Sequence, residues 1–176
     1  MLSSEFRRLV AVALVLTITF ITMPVSAADF TAAKPVIGSV SAIGPVELRG
    51  VAISQDGTLF AGDSIRSLSK GYAKVAFTSG NKIELNENAQ VQVTSDKQGT
   101  RVLLAAGNVG FTSIKGSALR LGLEPFEVVA SDDASGNVAL SSSGIAGVRT
   151  AKGKLTVKNL KTSESFVLNK IGRAHV

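Results

Sequence analysis

The stretch "YAKVAFTSGNKIELNENAQVQV", Tyr72 to Val93, decides the fold class. Ala73, Val75 and Phe77 fall on one side of an extended chain, with Lys74 on the other. After the polar turn "TSGN", Ile83 and Leu85 repeat the pattern against Lys82 and Glu84, and Val91 and Val93 repeat it against Gln90 and Gln92. Successive side chains of a strand point to opposite faces. A period of two with charge on the alternate face therefore predicts half-buried antiparallel strands.

Moving outward, the same signal recurs. "IGSVSAIGPVELRG" predicts a pair of strands broken at Gly44-Pro45, and "VAISQDGTLFAGD" a second pair across Gln55-Asp56-Gly57, where Asp-Gly is a hairpin cue. Downstream, "RVLLAAGNVGF" reads as strand, turn at Ala106-Gly107-Asn108, and strand. "ALRLGLEPFEVVAS" places Pro125 at an edge or bend. "KLTVKNLKTSESFVL" puts Leu155 and Val157 inward, with Lys154, Thr156 and Lys158 outward. No stretch carries a helical repeat. The expected fold is an all-β, antiparallel β-sandwich with jelly-roll character, with a short β-solenoid or β-roll as the alternative.

Composition agrees. Of 176 residues, 45% are apolar, enough for a core, but only 5% are aromatic, with no Trp and one Tyr. That is a poor base-stacking surface. The N-terminus reads as a secretory signal over residues 1–27. Arg7 and Arg8 precede the 13-residue apolar run Leu9 to Ile21, Pro24 ends it, and Val25 and Ala27 supply the small residues of a cleavage site. Residues 28–35 read as a flexible lead-in and 36–169 as the β-domain. The apolar run is short for a membrane span, and no second one follows. The mature chain is therefore expected to be secreted or periplasmic, without a transmembrane span. No Cys is present, so disulfides, thiolate ligands and a lipidated N-terminal Cys are excluded.

The last seven residues, "KIGRAHV" from Lys170 to Val176, resemble the translation of a short-read sequencing adaptor. They are expected to be an artefactual tail on a natural chain that continues beyond Asn169. His175 within them is the one histidine. Between Ala28 and Asn169 stand 15 Lys and Arg against 12 Asp and Glu, a net charge of +3 spread along the chain. No nucleic-acid footprint follows from that.

The segment Ile37 to Phe111 is similar to the FecR-domain family. Leu59, Gly62, Asp63, Ile65 and Ser67 form its "L-x-x-G-D-x-I-x-[ST]" step. The strand Ala73 to Phe77, Gly80 and the strand Ile83 to Leu85 follow in order. The family's usual Asp-Gly is Ser79-Gly80 here. The resemblance implies an all-β extracytoplasmic domain, sometimes fused to a membrane helix and a sigma-factor-binding segment. Neither part is visible here, so iron-signalling anti-sigma work does not carry over.

Candidate chemistry is sparse. Gly62 and Asp63 read as a structural turn in which the carboxylate accepts downstream backbone N–H groups, with Ile65 returning to the core and Gly80 marking the next turn. Ser67 and Lys70 in "SLSK", with Lys161 and Ser163 in "KTS", mimic a serine acyl-enzyme pattern, but a strand follows and would make the side chains diverge. Asp132 and Asp133 in "SDDASGN" offer oxygens that calcium could use, but they match no standard metal-loop spacing, and adjacent acids ordinarily solvate a turn. "SSSG", Ser141 to Gly144, has no histidine base outside the tail. Lys152, Lys154, Lys158 and Lys161 form a basic run that either contacts a polyanion or protects a sheet edge. The reading is a non-catalytic binding or structural module of the bacterial envelope, without catalytic residues, cofactor or metal. Its partner would be an envelope protein or anionic polymer, not nucleic acid. A sensory domain of a signalling protein is the alternative, and an envelope hydrolase the least favoured reading.

Overall fold

The structure, a computed structural model, describes residues 34–169 and the backbone of residues 173–175. The expected signal at 1–27, residues 28–33 of the lead-in and residues 170–172 and 176 of the tail lie outside the described residues. The strands run β1 Val36–Ile43, β2 Val46–Leu48, β3 Val51–Ile53, β4 Asp56–Phe60, β5 Ser64–Ser67, β6 Tyr72–Phe77, β7 Lys82–Leu85 and β8 Gln90–Asp96. They continue with β9 Gly99–Thr112, β10 Leu119–Leu123, β11 Phe126–Ala130, β12 Ser135–Leu140, β13 Ala146–Lys152, β14 Leu155–Asn159, β15 Ser165–Leu168 and β16 Arg173–His175. There is no helix among the described residues, and so none long and apolar enough to cross a membrane.

The fold is the expected all-β sandwich. Pairing gives one sheet in the order β4-β1-β6-β7-β9-β12-β13-β16 and a second in the order β3-β2-β5-β8-β9-β10-β11-β14-β15. The alternation seen in the sequence supplies both inner faces. Val40, Val75, Ile83, Val109, Val138 and Val148 are buried from the first sheet. Ile65, Val91, Val102, Leu121, Val128 and Val157 are buried from the second. Each fully buried Val, Leu or Ile contributes about 1.5–3 kcal/mol, so sealing two such faces holds a chain poor in aromatics.

One strand belongs to both sheets. The first half of β9 pairs with β8 and β10 in the second sheet, and its second half with β7 and β12 in the first. Where the sequence predicts a turn at Ala106-Gly107-Asn108, the backbone instead bends and keeps its direction. Two features make the bend. Gln90 sits opposite Ala106 but Val91 opposite Leu104, which leaves Ala105 as an extra residue. Gly107 then adopts φ 88, and a Cβ there would stand 2.4 Å from the Ala89 Cα. The run of small residues is a corner between sheets.

The corner explains a second departure. Having crossed into the first sheet, the chain returns through Ser113 to Ala118. It re-enters the second sheet beside the strand it has just left, so β10 runs parallel to β9. All other pairs are antiparallel, as expected.

The early hairpins also differ from the sequence reading. Gly44-Pro45 separates β1 from β2, but these lie in different sheets, and so do β3 and β4 on either side of Ser54-Gln55. The hairpin joins β2 to β3 through Arg49-Gly50, with φ of 56 and 76 at the two residues. Two successive positive φ values give the turn whose twist matches the flanking strands. Asp-Gly at Asp56-Gly57 is instead the start of β4, an edge strand. The turns at Thr78 to Asn81 and at Glu124-Pro125, the latter a cis peptide, fall where the sequence places them.

Candidate functional site

On the outer face of the first sheet the register aligns one polar row: Lys74 on β6, Glu84 on β7, Gly110 on β9, Asn137 on β12 and Arg149 on β13. The next row carries Ala76, Lys82, Thr112, Ser135 and Lys152. Alternation puts these side chains outward because Val75, Ile83, Phe111 and Val138 beside them face the core. Gly110 leaves the middle of the row without a side chain, and a trough of about 330 Å³ opens there. Lys82 and Glu84 form one wall, Arg149 and Ala151 the other, and Gly110, Thr112, Ser135 and Asn137 lie between. Asn137 is held by donating from its Nδ2 to the Asn108 Oδ1.

Four cations, Lys74, Lys82, Arg149 and Lys152, stand in the two rows against one acid, Glu84. Among the described residues none of them is within ion-pair distance of an acid, whereas Arg49, Arg101 and Arg120 are paired with Asp63, Glu127 and Asp96. Glu84 lies beside Tyr72. Burial, and after it the Glu84 carboxylate, pushes the Tyr72 phenol up to about 12, and the Lys74 ammonium sits 5.8 Å from that ring's centre. Of the four cations, Lys82 and Arg149 line the trough itself, together with one carboxylate, one amide and two hydroxyls, which leaves it net cationic. It can bind by charge and hydrogen bonding.

The residues singled out in the sequence lie elsewhere. Asp63 is buried and receives the Arg49 guanidinium at 2.6 Å and the Phe60 N–H at 2.9 Å. The expected turn role is present with a different donor, because the carboxylate reaches back upstream to Phe60. Arg49 also lies over the Phe60 ring, 5.6 Å from its centre. It pins the β2–β3 turn to the β4–β5 turn. Gly62 and Gly80 both sit at φ 89 in turns, and Ile65 is fully buried.

Ser67 is buried, and its hydroxyl donates to the Asn86 and Ala89 carbonyls and accepts the Ala89 N–H. Lys70 lies in the following turn, where its N–H meets the Glu87 carboxylate at 3.0 Å. The two diverge, as strand geometry requires. Asp132 and Asp133 lie in the exposed β11–β12 turn, where Asp132 accepts the Gly116 N–H at 3.2 Å. No cluster of three or more His, Cys, Asp or Glu occurs among the described residues. Ser141 and Ser143 bond each other at 2.8 Å in the β12–β13 turn.

The basic run is distributed rather than gathered. Lys152 ends β13 in the first sheet, Lys154 precedes β14, and Lys158 lies on β14 in the second sheet. Strand β14 is covered by β11 on one side and β15 on the other, so Lys158 is not an edge lysine; Glu127 is its cross-strand neighbour. Lys161 lines a separate hollow of about 320 Å³ with Glu124, Pro125 and Leu160. Of the four, only Lys152 reaches the polar rows.

Sequence reasoning therefore missed the trough. Lys82 and Glu84 were legible as outward residues, but their assembly with Asn137 and Arg149 depends on β9 standing between β7 and β12. The available signal was Gly110, a glycine inside an otherwise alternating apolar run.

No family model and no curated protein matches the chain. Among solved structures, two crystal structures described as those of a candidate anti-sigma factor from Parabacteroides distasonis ATCC 8503 resemble it. Each is 16% identical with a TM-score of 0.48. The match covers 61% of this chain and 60% of that one, so less than two thirds of that protein's length is spanned.

Proposed function

We propose that this chain is a non-catalytic, extracytoplasmic binding module of the bacterial cell envelope, similar to FecR domains and engaging its partner through the outer face of its first sheet. One observation carries the reading. A sealed sandwich presents a trough of about 330 Å³ whose flanking cations, Lys82 and Arg149, have no acid within ion-pair distance among the described residues. Cations left unsatisfied beside a concavity favour an anionic or strongly polar partner. The secretory signal read at the N-terminus supports the location. Support for a non-catalytic role comes from Ser67, whose hydroxyl is consumed by main-chain bonds, and from the trough's single carboxylate, which has neither a second carboxylate nor a histidine beside it in the lining. The resemblance of Ile37 to Phe111 to FecR domains favours a second reading, a sensory domain of a signalling protein.

The test is co-sedimentation of the purified chain with membrane-free bacterial cell walls. Retention that charge reversal at Lys82 and Arg149 abolishes, and charge reversal at Lys158 and Lys161 does not, is the expected result. A chain that stays in the supernatant refutes the envelope-binding reading. Turnover of an ester or glycoside by the same preparation refutes the non-catalytic one.

A further inference from the structure

We infer that the trough over Gly110 is a subsite for a carboxylate-bearing sugar unit of an anionic polysaccharide, with Arg149 holding the carboxylate, Lys82 adding positive charge from the opposite wall, and Asn137, Ser135, Thr112 and Glu84 meeting the sugar hydroxyls. This rests on the binding-module reading above and names the ligand class for that face.

The first argument is Gly110 itself. Glycine weakens the interior of a strand, and it is normally kept there because the backbone needs positive φ or because a neighbour leaves no room. Neither reason holds at this position. Gly110 is not among the residues with positive φ, and a Cβ added to it would meet nothing nearer than the Glu84 Cβ at 3.8 Å. Gly136, one strand away, is different: its Cβ would stand 2.2 Å from the Arg149 carbonyl oxygen and 3.0 Å from the Phe111 ring. The fold requires Gly136 and Gly107 but does not require Gly110. What Gly110 does is hold the floor of the trough open.

The second argument is the chemistry of the walls. Strands β7, β9, β12 and β13 are consecutive in the sheet, so the two cationic walls lie three inter-strand spacings apart, about 14 Å. The volume lies at the small end of ligand sites, about 300–1,000 Å³. Arg and Lys side chains recognise carboxylate and phosphate alike, so the choice rests on their surroundings: many phosphate sites add free main-chain N–H groups at a helix start or in a backbone nest. Here β9 and β12 spend their main chain on ladder pairing, and the Glu84 carboxylate would repel a dianion. A neutral sugar would want a stacking surface, yet the chain has no Trp, its one Tyr lies outside the trough lining, and the one aromatic in the lining, Phe111, is buried with its ring in the core. A carboxylated sugar fits both restrictions: one negative charge for the guanidinium, and hydroxyls that donate to Glu84 and exchange bonds with the amide and the two side-chain hydroxyls.

The experiment is calorimetric titration of the full chain with oligogalacturonate, against neutral dextran oligosaccharide and inorganic polyphosphate. Oligogalacturonate is expected to bind at least about tenfold more tightly than either. Arg149→Ala and Gly110→Val should each weaken it about tenfold or more, while the melting temperature stays at or above that of the parent. Arg149 is exposed, so its truncation keeps the test valid should the valine disturb β9. Charge reversal at Lys158 and Lys161 should leave the affinity unchanged. Equal binding of polyphosphate or dextran, or affinity indifferent to Gly110→Val and Arg149→Ala, overturns the inference while cell-wall retention still supports the binding module. Loss of both oligogalacturonate binding and cell-wall retention overturns both.

Discussion

Replacing Asp63 by alanine removes a carboxylate that is only 2% exposed and that satisfies two donors from different parts of the chain. The Phe60 N–H, part-buried at the β4–β5 turn, would lose its acceptor, which costs about 1–3 kcal/mol. The Arg49 guanidinium is 49% exposed and can return to water, so its lost ion pair adds at most about 1 kcal/mol. Asp63→Ala should therefore destabilise the fold by about 2–3 kcal/mol, a fall of roughly 4–12 °C in Tm at this size. Asp63→Asn retains an oxygen for Phe60 and should cost about 1 kcal/mol. Arg49→Ala should cost about 1–2 kcal/mol. It leaves the carboxylate unpaired, but water can enter where the half-exposed side chain stood, so the larger penalty of a fully buried pair does not apply. Urea unfolding followed by circular dichroism measures all three. An Asp63→Ala variant within about 0.5 kcal/mol of the parent would refute the argument, and so would an Asn variant as damaging as Ala.

Gly110→Ala should be neutral or stabilising by about 0.4–1 kcal/mol, whereas Gly136→Ala should cost about 1–3 kcal/mol because its Cβ collides with the Arg149 carbonyl; the same unfolding assay separates them. Tyr72 is the only tyrosine, so ultraviolet titration reads it alone, with an expected midpoint of about 12 in the folded protein. Glu84→Gln should lower that midpoint yet leave it above the ordinary 10, since burial is the larger cause. A folded pKa raised in this way contributes stability below pH 10 that is lost as pH rises toward 12, and Tyr72→Phe should abolish that part of the alkaline loss. Asp96 is held below the usual carboxylate range by the Arg120 guanidinium, 2.6 Å away, and by the Gln98 N–H. Its contribution is complete above pH 4 and fades as pH falls below that; Asp96→Asn should flatten the Tm-against-pH curve on that acid limb alone.

How far the site was legible follows from the range of each interaction. Lys82 and Glu84 could be assigned to an outer face from their own hairpin, because alternation is a property of neighbouring residues. Arg149 could not be joined to them, since it lies 65 residues from Glu84 in sequence and meets it only through β9 and β12. The Arg49-Gly50 turn was hidden by a stronger local cue at Asp56-Gly57, which sheet membership overruled. The Asp63 turn was legible as a turn, but its partner Arg49 stands 14 residues upstream and no local rule points to it.

Taken alone, the amino-acid order determined that this chain forms strands, which residues of the clearly alternating strands face inward, and that two apolar faces must close on each other, because side-chain alternation and burial are decided within a few residues. Strand order was decided by the tertiary structure. The extra residue at Ala105 and the close approach of Gly107 to Ala89 send one strand through both sheets, and that crossing sets β7, β9, β12 and β13 side by side. The trough exists only because of that arrangement: contacts between residues far apart in the chain are fixed by packing, which local periodicity does not encode.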